Sequence, residues 1–137
     1  MQIPSKARAV IIGGGVVGCS IAYHLGKLGW KDVVLLERKQ LTCGTTWHAA
    51  GLIAQLRATQ NMTRLAKYSQ ELYFGLEPET GVATGFKRNG SITVALTDER
   101  MEELRRSAAM ARAFGVEIDE ITPSDIAGRY PGLTTDD

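Results

Sequence analysis

This 137-residue sequence is poor in the residues that organise small disulfide or metal domains: it has two cysteines, Cys19 and Cys43, and two histidines, His24 and His48. The cysteines lie far apart, form no CxxC pair and have no metal-ligand spacing to either histidine. Free, reduced thiols follow, and no metal is expected. An excess of charge is missing as well, since sixteen basic residues nearly cancel fifteen acidic ones. Without a basic face or charge block, nucleic acid is not an expected partner. No apolar run approaches membrane-spanning length, so no membrane partner is expected either. The start, "MQIPSKARAV", lacks the apolar region and small-residue cleavage site of a secretory signal. A cytoplasmic, bacterial-type protein is the default expectation; a processed protein of the mitochondrial matrix would look the same. Internal repeats and low-complexity tracts are absent.

What is present begins with a short apolar run, Ala9 to Ile12, bounded by glycines and too short for a helix. It reads as a buried parallel strand. From Val16 to about Leu28 small and apolar residues predict a helix ended by Gly29. Val33 to Leu36 is a second β-branched and apolar run, closed by Glu37. Strand, glycine turn, helix and strand within about thirty residues make a βαβ unit. Further on, Leu65, Tyr68, Leu72, Tyr73 and Leu76 share one face of a predicted amphipathic helix. In "GFKRNGSITVAL", Ile92, Val94 and Leu96 alternate with polar or small neighbours, which predicts a half-buried antiparallel strand. Thr97 is placed to cap a helix whose buried stripe is Met101, Leu104, Ala108 and Ala111. "GVEIDEIT" predicts another short strand, and Thr122 with Pro123 starts a last helix.

The fold class is therefore α/β, the N-terminal βαβ part of a Rossmann-like domain followed by the start of an α+β substrate domain. Residues 1–58 are assigned to the dinucleotide unit with its following loop, and 59–137 to the helix-and-strand segment. Two parallel strands do not complete a dinucleotide sheet, so both parts are expected to belong to a longer polypeptide.

Gly13, Gly15 and Gly18 fall in the GxGxxG pattern between strand and helix. The first makes the tight turn, the second admits a pyrophosphate, and the third lets helix and strand pack closely. The helix start then offers unpaired N–H groups to phosphate. Glu37 lies nineteen residues beyond Gly18, where an acid meets ribose hydroxyls. An ordinary solvated carboxylate at a strand end is the competing view. A 2′-phosphate does not suit this carboxylate, which leaves FAD and NAD.

Arg38 follows, and then comes "LTCGTTWHAAGL", small residues and hydroxyls surrounding a Trp47–His48 pair. Together with "GGGVVG", "LLER", "QLR", "ETGVATGF", "NGSITVA" and "YPGL", this stretch resembles the N-terminal region of the sarcosine and dimethylglycine dehydrogenases. These are D-amino-acid-oxidase-like flavoproteins. The resemblance implies FAD, with Val16 and Val17 at the pyrophosphate turn and Glu37 and Arg38 at the adenosine end. It sets Gly44, Thr45, Thr46, Trp47, His48, Ala49, Ala50, Gly51 and Leu52 along the dinucleotide. It further implies that His48 carries the flavin through a covalent bond to the 8α-methyl carbon. By residue chemistry alone His48 would be a loop histidine and Trp47 ordinary core. Cys43, where a small polar residue such as serine is expected, is the rival anchor by thioether. His24 receives no role; Tyr68 and Tyr73 read as packing, and Arg57 as a solvated loop residue.

The activity implied is FAD-dependent oxidation of the C–N bond of a small N-methylated amino acid such as sarcosine or dimethylglycine. The electron acceptor is unspecified, and tetrahydrofolate would bind in a later region. Catalytic residues are not assigned within this stretch. Two alternatives stand beside it: an NAD-linked dehydrogenase, and a non-catalytic, flavoprotein-like regulatory subunit.

Overall fold

The computed structural model describes residues 4–135. The chain divides into two compact units, Met1–Leu52 and Ile53–Asp137. Each is built on its own terms.

In the first unit β1 (Ala9–Ile12) and β2 (Val33–Leu36) form a parallel pair, with Ala9 opposite Val33 and Ile12 opposite Leu36. The ladder continues past both strand ends. The Arg8 N–H donates to the Asp32 carbonyl at 2.9 Å and the Gly13 N–H to the Leu36 carbonyl at 2.8 Å. Between the strands runs α1 (Val16–Lys27). Its end is set by Gly29 at φ +78°, a left-handed conformation that costs glycine nothing. There the Gly29 N–H reaches the Gly26 carbonyl and the Trp30 N–H the Leu25 carbonyl, both at 2.9 Å. This two-bond pattern satisfies carbonyls that the helix leaves open. The Arg8 guanidinium lies 3.9 Å from the centre of the Trp30 ring, a cation–π contact across the base of the unit. The predicted βαβ unit is present, with both strands at their expected bounds.

The second unit holds α2 (Gln60–Thr80), α3 (Asp98–Ala113) and α4 (Pro123–Arg129). Each starts on a threonine. Thr59, Thr97 and Thr122 accept the N–H of Met62, Arg100 and Asp125 through their hydroxyls. At α4 the Thr122 N–H returns a bond to the Asp125 carboxylate at 2.8 Å, a reciprocal capping box. Ala108 and Ala111 are buried on α3, with Met101 and Leu104 half-buried beside them, as the predicted stripe requires.

The α2 face needs correction. Leu72, Tyr73 and Leu76 are half-buried, but Leu65 and Tyr68 are exposed. The fully buried residue is Thr63, whose hydroxyl accepts the Arg57 N–H at 3.0 Å and donates to the Arg57 carbonyl at 3.2 Å. A backbone tether before the helix, rather than a leucine, decides which face turns inward.

The two later strands are not formed. Among the described residues β1 and β2 are the only strands, and residues 86–97 and 116–122 lie outside any ladder. Alternation gives Ile92 and Ala95 some cover, yet Val94 is exposed and Leu96 is 91% exposed. A strand is stabilised by a neighbour that pairs its N–H and C=O groups, and none of the described residues offers one. No helix among the described residues is long and apolar enough to cross a membrane, and none of their acidic, cysteine or histidine side chains cluster as metal ligands.

Candidate dinucleotide site and the loop that follows it

The four residues after β1 form the floor of the site. Gly13 sits at φ +104°, a backbone state that an L side chain resists, so the chain can reverse immediately after the strand. Gly18 is required by closeness: a Cβ there would stand 1.9 Å from the Gly13 carbonyl oxygen. This is the helix-to-strand contact that the third glycine of the pattern predicts. At Gly15 a Cβ would meet the Thr46 hydroxyl at 3.1 Å, leaving the turn bare of side chain on that side.

Gly14, which the spacing pattern leaves unspecified, proves equally constrained. A Cβ at Gly14 would meet Leu41 Cδ2 at 2.5 Å and Glu37 Cβ at 3.1 Å. The Gly14 N–H donates to Glu37 Oε2 at 2.8 Å, and its carbonyl accepts the Thr42 N–H at 2.8 Å. Thr42 itself holds φ +64°, which turns the chain back over the glycines. The third consecutive glycine was the available signal. Its cause lies in Leu41, Thr42 and Glu37, far along the chain.

Glu37 is gripped twice, since the Lys39 N–H donates to Oε1 at 2.9 Å. These bonds, that from Gly14 first and that from Lys39 second, hold its carboxyl below the usual glutamate range. A carboxylate accepts about four hydrogen bonds, so two backbone donors leave capacity for ribose hydroxyls. Arg38 beside it is exposed and adds a weaker favourable charge.

Helix geometry leaves the first N–H groups of α1, at Val16, Val17 and Gly18, without intrahelical acceptors. No acidic side chain occupies this first turn. The Val16 N–H instead donates to Thr46 Oγ1 at 2.9 Å, a bond spanning thirty residues. Exposed donors, a positive helix end, bare glycines and an anchored carboxylate fit the pyrophosphate and ribose of a dinucleotide.

Thr46 belongs to a short 3-10 turn, Thr45–His48, entered from Gly44 and left through Ala49, whose N–H returns to the Thr46 carbonyl at 3.3 Å. On it the Trp47 and His48 rings lie face to face, centroids 4.0 Å apart and planes tilted by 32°. The indole N–H donates to the Cys43 carbonyl at 3.1 Å. Trp47 is 66% exposed, so it is not core packing in this chain. Ala49, Ala50, Gly51 and Leu52 continue outward, all exposed, with Gly51 at φ +74°. Cys43 is exposed, while Cys19 donates weakly to the Gly14 carbonyl at 3.4 Å. His24 folds back on its own helix, its Nδ1 2.6 Å from the Ser20 carbonyl oxygen. Arg57 Nη1 donates to the adjacent Leu56 carbonyl at 3.0 Å, and the Tyr73 ring lies 6.3 Å from that of Phe86.

A βαβ unit whose glycine turn is overlaid by a hydroxyl-bearing loop defines a dinucleotide-binding flavoprotein class. Residues 8–137 match the family described as FAD dependent oxidoreductase, and the chain belongs to that family. Human mitochondrial sarcosine dehydrogenase is 42% identical over 136 residues, 98% of this chain and 15% of the relative. Rat mitochondrial dimethylglycine dehydrogenase is 44% identical over 131 residues, 96% of this chain and 15% of the relative. The mitochondrial pyruvate dehydrogenase phosphatase regulatory subunit of mouse is 41% identical over 137 residues, 100% of this chain and 16% of the relative. The chain thus spans about one sixth of the length of these relatives. Membership decides for FAD over NAD, the choice that the βαβ unit left open.

Proposed function

We propose that this chain supplies the FAD-binding start of an oxidoreductase acting on the C–N bond of a small N-methylated amino acid. The observation that carries the reading is the bond from the Val16 N–H to Thr46 Oγ1, which lays the Trp47–His48 turn on the glycine turn. Gly13, Gly15 and Gly18 would form the turn under the pyrophosphate, with Val16 and Val17 offering backbone donors. Glu37 would accept from the ribose and Arg38 would stand at the adenosine end. Gly44 through Leu52 would follow the dinucleotide, with His48 as the covalent attachment point for the flavin 8α-carbon. FAD, when bound, supplies the acceptor for a hydride equivalent from the N-methyl carbon of sarcosine or dimethylglycine, whose iminium product water or tetrahydrofolate intercepts. The residues of this chain hold, orient and shield.

Support for the substrate class comes from the sarcosine and dimethylglycine dehydrogenases among the relatives. Two mitochondrial enzymes among them fit a matrix location as readily as a bacterial cytoplasm. The mouse regulatory subunit favours a second reading, a flavin-type domain that serves regulation without turnover.

The test uses the full-length protein loaded with FAD. Turnover of sarcosine or dimethylglycine with an artificial electron acceptor supports the enzyme; full loading without turnover supports the regulatory reading. Acid denaturation and gel electrophoresis should leave a fluorescent protein band, lost in His48→Ala and kept in Cys43→Ser. A band that survives loss of His48 removes the assignment.

A further inference from the structure

We propose that Trp47 is a positioning residue for His48: its indole, fixed to the Cys43 carbonyl, holds the imidazole in the orientation that flavin attachment requires. This rests on the reading of His48 as the attachment point. In a 3-10 turn successive side chains leave the axis about 120° apart, so neighbouring rings have no backbone reason to meet face to face. Here they meet at 4.0 Å, which requires both side chains to rotate toward each other. The indole N–H on the Cys43 carbonyl fixes one of the two rings. The frame beneath is fixed as well, because Thr42 bonds to Gly14 and Thr46 to Val16 at either end of the turn. An exposed indole held in this way does little for a core. Its effect is to confine an exposed imidazole that would otherwise spread over its staggered rotamers.

Attachment joins an imidazole nitrogen to the flavin 8α-carbon, breaking the imidazole N–H and one methyl C–H bond. The two electrons released pass to dioxygen, which takes up the two hydrogens as hydrogen peroxide. The reaction needs the nitrogen aimed at one carbon, and misaimed groups lose rate steeply.

The experiment follows attachment in time. Full-length apoprotein, made under riboflavin limitation, is mixed with saturating FAD in air-equilibrated buffer and quenched in acid at intervals. Band fluorescence reports attached flavin, and the supernatant reports bound but unattached FAD. At saturating FAD, Trp47→Ala should slow attachment about tenfold or more. Trp47→Phe, which keeps a ring face and loses the N–H donor, should fall between that variant and wild type. Attachment by Trp47→Ala at the wild-type rate overturns the inference and leaves His48 standing. Failure of both variants to take up FAD at any concentration also overturns it, by making Trp47 part of the cradle. A fully loaded wild type without a fluorescent band removes the His48 reading, and this inference with it.

Discussion

Glu37 Oε2 accepts the Gly14 N–H at 2.8 Å, which ties the end of β2 to the turn after β1 across 23 residues. The acid that the sequence pattern reserves for a ribose is thus also a strut of the empty turn. Both tasks depend on its charge. In the full-length protein Glu37→Gln should weaken FAD capture about tenfold, measured as flavin uptake at limiting FAD. Uptake equal to wild type would place Glu37 outside the site.

The same strut predicts a pH dependence of known sign. The carboxyl of Glu37 is held below its ordinary range when folded, chiefly by the Gly14 and Lys39 N–H groups. A depressed folded value stabilises above the unfolded pKa, and that stability is lost as pH falls through the folded value. The difference in thermal midpoint between wild type and Glu37→Gln should therefore be fullest near neutrality. It should close as the pH drops below the ordinary glutamate value of about 4.3. A difference that stays constant into acid would mean that the charge contributes nothing.

Two glycines of α1 should respond in opposite directions. Gly18 has the Gly13 carbonyl oxygen 1.9 Å from the position of an added Cβ, whereas nothing lies within 4 Å of such an atom at Gly26. Gly18→Ala must push the helix off the strand and should cost about 3 kcal/mol. Gly26→Ala fills open space in a helix and should gain up to about 0.5–1 kcal/mol. Urea unfolding followed by far-ultraviolet circular dichroism separates the two, and loss of stability in both variants would refute the packing account.

Local signals carried much of this architecture. Ala9–Ile12 and Val33–Leu36 were readable because a short apolar run between glycines or polar residues has few other ways to be buried. Helix starts at Thr97 and Thr122 were readable because a cap acts within three residues. Requirements set from far along the chain were not. Gly14 is constrained by Leu41 and Glu37, and Thr46 finds its partner at Val16. The alternation of residues 91–96 tells which side chains differ in polarity but cannot supply the partner that a ladder needs. Ring stacking at Trp47 and His48 depends on rotamers that no spacing rule encodes.

Thr63 offers a stability test that the sequence did not suggest. Its hydroxyl is fully buried and bonds both the N–H and the carbonyl of Arg57, so the segment before α2 is fastened to the helix through one side chain. Thr63→Val keeps the shape and leaves those backbone groups unpaired, which should cost about 1–3 kcal/mol. Thr63→Ser retains the hydroxyl and should recover most of that loss. Thermal unfolding of the full-length variants decides, and a valine variant as stable as wild type would show that the tether is not a net contributor.

Expressed by itself, the 137-residue chain should neither hold FAD tightly nor unfold cooperatively. The buried apolar side chains among the described residues are Ile11, Ala108 and Ala111, two of them with only a methyl group to contribute. Ile12 is 87% exposed and Leu52 85%, although both are side chains that a finished core would cover. Ordering each residue costs about 1–2 kcal/mol of conformational entropy, and burial on this scale does not offset it. The parallel pair also leaves both outer edges of its sheet without hydrogen-bond partners. Co-purification with excess FAD, followed by an absorption spectrum and a thermal melt, tests this directly. A yellow, stoichiometric monomer with a sharp transition would show that the βαβ unit and its loop suffice for cofactor capture on their own.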